Sequence, residues 1–133
     1  MLAFCLFGCG LQSEDFSHLE GFWEIQSVKT NGQTNKSFKA SINIDHYVFK
    51  DSMSGIFQKV IPQFDGQFKA SENYSVFSVQ KVNNRWWIYH TNIDQNYRLK
   101  VIDLSSDLLI LRKDSSTTDY VYKRFEPLNL GDL

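Results

Sequence analysis

Hydrophobic and polar residues alternate along most of the chain, in short segments separated by turn-forming residues. In one such segment Tyr97, Leu99 and Val101 fall on one face, and the intervening Arg98 and Lys100 fall on the other. A period of two predicts a β-strand with one solvated face. Comparable segments recur at intervals of about 8 to 15 residues, a rhythm typical of all-β domains. We predict eight strands, at about 22–30, 42–49, 56–61, 74–82, 85–91, 97–104, 108–113 and 120–125.

The turns between these segments favour hairpins. Asn31-Gly32 follows the first predicted strand, and Asn83-Asn84 joins the fourth to the fifth. Both pairs tolerate the positive φ angles of two-residue hairpin loops. Eight antiparallel strands joined by hairpins close most simply into a single up-and-down β-barrel, which leaves no exposed edge. An open sandwich is the alternative, and no amphipathic helix is predicted.

The first residues have a different character. Residues 1–8 are apolar and end at Cys9, after which the chain becomes polar at 12–15. An apolar run with a small residue before the cleavage point is typical of a secretion signal. Leu6-Phe7-Gly8-Cys9 resembles the bacterial lipobox, and this resemblance implies that Cys9 is acylated and becomes the mature N-terminus. The alternative is a hydrophobic tail or a first strand of the fold.

Length and composition limit the domain organisation and the partners. The chain has 133 residues, enough for one domain. Its net charge is -1 with Lys and Arg scattered along the sequence, so the basic footprint of a nucleic-acid-binding protein is missing. We expect a truncated lipoprotein signal peptide whose true start lies upstream, a lipidated N-terminus with a tether, a barrel, and a C-terminal tail, at 1–8, 9–18, 19–127 and 128–133.

The body of the chain resembles the lipocalin-like domains of small bacterial lipoproteins. Gly21-Phe22-Trp23 is similar to the Gly-x-Trp signature of their first strand, 101–111 to their penultimate hairpin, and 120–125 to their closing strand. The resemblance implies that Trp23 closes one end of the barrel while Arg124, or alternatively Lys123, lies across its ring. Gly21 would then permit close backbone approach.

No residue pattern supports catalysis, a metal or a cofactor. His18, His46 and His90 have no second histidine or cysteine at ligand spacing. Neighbouring residues such as Asp45 and His46 point to opposite faces of a strand. Both cysteines lie in the first ten residues, and serine-hydrolase and phosphate-binding motifs are missing. We therefore expect a protein that is not an enzyme and needs no cofactor.

Two adjacent tryptophans are the remaining candidates for contact with a partner. Trp86 and Trp87 should point to opposite faces of the fifth strand, one inward and one outward. An exposed tryptophan would suit a protein, a glycan or a membrane surface. The interpretation that we favour has both rings covered, by neighbouring strands or by the loop near Pro62.

These observations predict a membrane-anchored lipoprotein of the cell envelope, at the outer membrane, on its periplasmic or its surface face. In the first hypothesis the barrel binds a small hydrophobic ligand, with binding residues that the sequence leaves unassigned. In the second, the interior is filled and the protein is a non-enzymatic structural or interaction accessory of the envelope. A ligand site needs a cavity of about 300 Å³ or more, so the size of the interior distinguishes the two.

Overall fold

The computed structural model describes residues 13–37, 44–63 and 67–126. The chain enters through a 3₁₀ helix, Ser13–Leu19, and continues as strands. In these three ranges the strands are β1 Gly21–Thr30, β2 Gln33–Ser37, β3 Ile44–Phe49, β4 Ser54–Pro62, β5 Phe68–Val82, β6 Arg85–Thr91, β7 Asn96–Leu104, β8 Leu108–Lys113 and β9 Thr118–Arg124.

The strands form one closed antiparallel barrel. Each of β3 to β9 pairs with the next, and β9 returns to pair with β1 from Trp23 opposite Arg124 to Thr30 opposite Thr118. The other edge of β1 pairs with two strands in turn. Its first residues, Gly21 to Trp23, pair with β3, and its last residues, Ser27 to Thr30, pair with β2. The described strands therefore occupy eight positions around the barrel, and the prediction of a single up-and-down barrel of about eight strands is confirmed.

Most predicted strands agree with the structure, and the differences have physical causes. β6 and β8 have the predicted bounds. β2 was not predicted, because its residues are polar and exposed throughout and give no alternation. β5 begins at Phe68 instead of near Tyr74, since a register shift lets its first residues pair with the end of β4. Of the strand predicted at 42–49, the first two residues lie outside the described ranges.

The turns divide between the two ends of the barrel, because consecutive strands run in opposite directions. Turns 31–32, 92–95 and 114–117 lie at what we call the open end, where the amide of Asn31 donates to the carbonyl of Thr117 at 3.2 Å. Turns 50–53, 83–84 and 105–107 lie at the closed end. Asn83 and Asn84 have φ angles of 54° and 64°, the left-handed values expected of a two-residue hairpin loop.

The 3₁₀ helix packs against the closed end. It buries Phe16, whose ring centre lies 4.7 Å from that of Trp86, and it buries Leu19 completely. Trp23 is also fully buried, and its indole N–H donates to the carbonyl of Leu19 at 2.9 Å. The expected tether, 9–18, thus overlaps the packed domain, which begins before the predicted boundary at Leu19. The sequence pattern did not reveal this because the segment is short and has few apolar positions.

Arg124 connects the parts of the closed end. Its guanidinium carbon lies 3.9 Å from the centre of the Trp23 ring, a cation–π arrangement. Nε donates to the carbonyl of Ser106 at 2.9 Å, one Nη donates to that of Glu20 at 2.8 Å, and the other to that of His18. One side chain thereby joins β9 to the helix, to β1 and to the turn between β7 and β8.

Gly21 is required by this arrangement. It has a φ of 127°, and a Cβ at this position would lie 2.5 Å from a guanidinium nitrogen of Arg124. Lys123, the alternative partner of Trp23, turns away and lies 3.5 Å from the carboxylate of Glu24. Arg124 is therefore the basic residue that covers the ring.

We expect Arg124→Lys to destabilise the barrel by about 2 to 4 kcal/mol, because an ammonium group cannot reach three carbonyls and cover an indole at once. Equilibrium unfolding in urea measures the change. Arg85→Lys is the matched control, since Arg85 is exposed at a hairpin end, and it should change stability by less than about 0.5 kcal/mol. An Arg124→Lys protein as stable as the control would contradict the proposed role.

Candidate functional site

The barrel interior has two unlike halves. Towards the closed end it is occupied mainly by apolar side chains, which pack into one cluster. The fully buried members of this cluster are Phe16, Leu19, Trp23, Tyr47, Phe77, Val79, Ile88, Leu109 and Leu111, of which Tyr47 extends its hydroxyl towards His90. Towards the open end the inner face carries tyrosines, a histidine and a carboxylate instead. Within the described residues, we therefore look for room for a small molecule inside the barrel towards the open end.

His90 is the centre of the polar half. Its Nδ1 lies 3.0 Å from Ser75 Oγ, its Nε2 lies 3.4 Å from Tyr47 Oη, and its ring stacks on Tyr97 at 4.7 Å between centroids. Burial lowers the pKa of His90 to about 4, and the nearby positive charge of Lys59 acts in the same direction. The imidazole is therefore neutral at pH 7, with both ring nitrogens in hydrogen-bonding distance of a hydroxyl group.

The Ser75 and His90 pair has the spacing of a nucleophile and its base, but its surroundings differ. Ser75 and His90 are 3% and 1% exposed, so little of either side chain is accessible to solvent. In serine hydrolases the second ring nitrogen meets a carboxylate that orients the imidazole, whereas here it meets the phenol of Tyr47. This geometry favours a structural hydrogen-bond network over nucleophilic catalysis.

Asp45 carries the negative charge of the interior, and that charge is compensated. Lys59 Nζ lies 2.7 Å from its carboxylate, and the phenol of Tyr122 is a second neighbour. Burial, and then the neighbouring carboxylate, raise the pKa of Tyr122 well above its usual value. The tyrosine stays protonated, and the Asp45 and Lys59 pair adds no net charge to the interior.

A cavity of about 530 Å³ opens beside this network, at the open end of the barrel. Tyr97, Leu99, Tyr120 and Tyr122 line it from the inner faces of β7 and β9. Further lining residues come from the rim, namely Gln95, Asn96, Arg98, Lys113 and Asp114. Ligand pockets usually measure about 300 to 1,000 Å³ and combine apolar walls with a few polar groups. The size and lining of this cavity suit a small molecule with a flat body and polar substituents.

Trp86 and Trp87 lie on opposite faces of β6, as predicted. Trp86 points inward to Phe16. Trp87 points outward but is only 8% exposed, because the guanidinium of Arg98 lies 4.0 Å from its ring centre and the ammonium of Lys100 lies 5.3 Å from it. The favoured interpretation, in which both rings are covered, is confirmed, and side chains of the neighbouring strand β7 cover Trp87.

The sequence-predicted site residues lie away from the cavity. Gly21, Trp23 and Arg124 come together at the closed end. Cys9 lies outside the described residues. Asp45 and His46 do point to opposite faces, since Asp45 faces inward while His46 stacks on Phe22 outside the barrel at 4.0 Å.

The residues of the open end were not found by sequence reasoning. They come from β3, β5, β6, β7 and β9, and only barrel closure brings them together. The alternation that places Tyr97 and Leu99 on one face was the available signal, but it does not tell which face is the inner one.

The described residues hold neither a cluster of metal-ligating side chains nor a membrane-spanning helix. No group of three or more His, Cys, Asp and Glu side chains there could hold a metal ion. No helix in the same residues has the length and apolar character needed to cross a bilayer.

The fold and the cavity define a small up-and-down β-barrel, with eight strand positions, one plugged end and one open end. No family model matches the chain, and no curated protein matches it. Comparison with solved structures matches it to a lipocalin-like protein from Bacteroides uniformis ATCC 8492, known from a crystal structure at 1.79 Å. The TM-score is 0.49 with 16% sequence identity, over 81% of this chain and 99% of that chain. Such a distant likeness carries no conclusion about function.

We expect acid to destabilise the protein through His90. Its pKa of about 4 in the folded state lies below the value of about 6.5 expected for an unfolded chain. Between these values the unfolded chain binds a proton that the folded chain does not, so stability falls as the pH falls. The loss over the whole interval is about 3 kcal/mol.

Urea unfolding at a series of pH values between 7 and 4 measures this dependence. His90→Gln should flatten the profile. The matched control, His18→Gln, changes an exposed histidine and should keep the profile of the unaltered protein. If His90→Gln kept that profile as well, His90 would not be the responsible group.

Proposed function

We propose that this protein is a lipid-anchored, extracytoplasmic binding protein that holds a small molecule at the open end of its barrel. The observation that carries the proposal is the cavity of about 530 Å³ beside the tyrosines of β7 and β9. A barrel filled along its whole length would leave only voids of about the size of a water molecule.

The lining supports a ligand that is less hydrophobic than the sequence suggested. Tyr97, Tyr120 and Tyr122 offer flat apolar rings together with hydroxyl groups. Below them, the network of Asp45 and His90 is already satisfied by partners within the protein. The ligand would therefore place an apolar body on the rings and direct its polar groups towards the rim.

The anchor would orient the barrel on the membrane. Cys9 precedes the buried Phe16 by a short segment, and an extended chain spans at most about 3.3 to 3.6 Å per residue. Phe16 belongs to the closed end, so acylation of Cys9 would hold that end within about 25 Å of the bilayer. The open end would then face away from the lipid surface and would be accessible to soluble ligands.

The second hypothesis, a structural or interaction accessory, is supported by a different observation. The half of the barrel near the closed end holds a buried apolar cluster that includes Trp23, Trp86 and Leu109. A protein of that kind would act through its outer surface. It would bind no small molecule at the tyrosines of the open end.

The anchor is tested by mass spectrometry of protein purified with mild detergent from the cells that make it naturally. We expect an N-terminal peptide that begins at Cys9 and carries the mass of its acyl chains, since stable anchoring requires more than one chain. Cys9→Ser is the control and should release the protein from the membrane fraction. An unmodified Cys9, or unchanged membrane attachment of Cys9→Ser, would rule the anchor out.

The cavity is tested with phenylnaphthylamine, a neutral dye whose fluorescence rises in apolar surroundings. We expect saturable binding of one dye per chain. Tyr120→Ala should weaken it by about fivefold or more, because the mutation removes one of the stacking surfaces. Tyr74→Ala is the matched control, since Tyr74 is 58% exposed and is not among the cavity residues. Absence of saturable binding would favour the accessory hypothesis.

A further inference from the structure

Four basic side chains that are dispersed in the sequence meet beside the open end. Arg98 and Lys100 project from the outer face of β7, while Arg112 and Lys113 lie at the end of β8. We call this group the basic rim. Together with residues of the turn at 114–117, it lines an outer groove of about 480 Å³. The chain as a whole has a net charge of -1, so the basic rim is a local concentration of positive charge.

The carboxylates near the basic rim neutralise only part of it. Asp114 lies 2.8 Å from Arg98, and Asp119 accepts two hydrogen bonds from Arg112, at 2.6 and 3.0 Å. Within the described ranges, neither Lys100 nor Lys113 forms an ion pair. Two positive charges therefore remain uncompensated.

Lys113 places one of these positive charges at the edge of the cavity. It lines both the outer groove and the cavity at the open end, and it lies opposite Leu99, a residue of the inner face. Lys100 is held instead over the outward ring of Trp87. Of the two uncompensated lysines, Lys113 is thus the one that a ligand on the tyrosines can reach.

The barrel interior presents no uncompensated carboxylate, among the described residues, that would repel a ligand anion. The carboxylate of Asp45 is paired with Lys59 at 2.7 Å, and His90 is enclosed by Ser75 and Tyr47. Among the described residues that line the cavity, Asp114 is the one carboxylate. It accepts a hydrogen bond from Arg98. A ligand cation would find no free carboxylate there, whereas a ligand anion finds Lys113.

We propose that the ligand is a small organic anion with a flat apolar body, whose carboxylate, sulfonate or phosphate group binds Lys113 while the body stacks on Tyr97 and Tyr120. This inference rests on the proposed function, since it names the class of molecule that the same cavity binds. Because Lys113 is exposed, its contribution is modest and depends on salt.

A pair of dyes with the same ring system tests the inference. Anilinonaphthalene sulfonate is anionic, and phenylnaphthylamine is its neutral counterpart. In low salt we expect the anionic dye to bind at least about fivefold more tightly than the neutral one, at a stoichiometry of one per chain. Raising the salt concentration should weaken binding of the anionic dye and leave that of the neutral dye unchanged.

Lys113→Gln supplies the decisive variant. It should weaken binding of the anionic dye by about 3- to 10-fold and change the affinity for the neutral dye by less than about twofold. Lys50→Gln is the matched control, because Lys50 is exposed beside the turn at the closed end. It should change neither affinity. Unfolding in urea verifies that both variants are as stable as the unaltered protein.

The outcomes separate the two proposals. If the dyes bind equally well, or if Lys113→Gln weakens both alike, the anion preference is wrong while the binding function stands. If Lys50→Gln weakens binding of the anionic dye as much as Lys113→Gln does, the dye responds to the overall charge of the protein, and the proposed contact with Lys113 is wrong. If neither dye binds, the binding function fails and the anion preference fails with it.

Discussion

The contact between the guanidinium of Arg124 and the indole of Trp23 is the constraint on which the rest of the barrel depends. It joins the last strand to the first, and the same guanidinium reaches the carbonyls of the 3₁₀ helix and of the turn between β7 and β8. A sheet of eight strand positions has no free edges only if its ends meet. The closed end is therefore both the seam of the barrel and the place where the N-terminal helix seals it.

Sealing one end decides how the interior can be used. Near the seal, buried apolar side chains pack into one cluster. Farther along, the inner face carries groups that must find hydrogen-bond partners, because leaving them unpaired in the interior costs free energy. His90 meets Ser75 and Tyr47, and Asp45 meets Lys59. The network also touches two tyrosines of the cavity, because His90 stacks on Tyr97 and Asp45 neighbours Tyr122.

Charge, too, differs between the barrel interior and its open rim. The interior has a compensated carboxylate and a histidine that burial keeps neutral, since its pKa is lowered to about 4. The uncompensated positive charge lies at the rim, where water reduces the cost of keeping it. A ligand of the open end would therefore meet aromatic surface inside and positive charge at the entrance. This separation of apolar and charged contacts is common in sites for amphiphilic molecules.

The sequence by itself determined most of the strands and favoured a closed barrel over an open sandwich, because alternation and hairpin turns are local properties of the chain. Resemblance also indicated Gly21, Trp23 and Arg124, which the structure brings together. Local patterns could not reveal β2, which is polar throughout, or the helix that buries Phe16. Only the tertiary structure decided what faces the cavity and where the basic rim forms. Those residues come from strands far apart in sequence, and the register of the closed barrel, which no single segment encodes, sets which of them become neighbours.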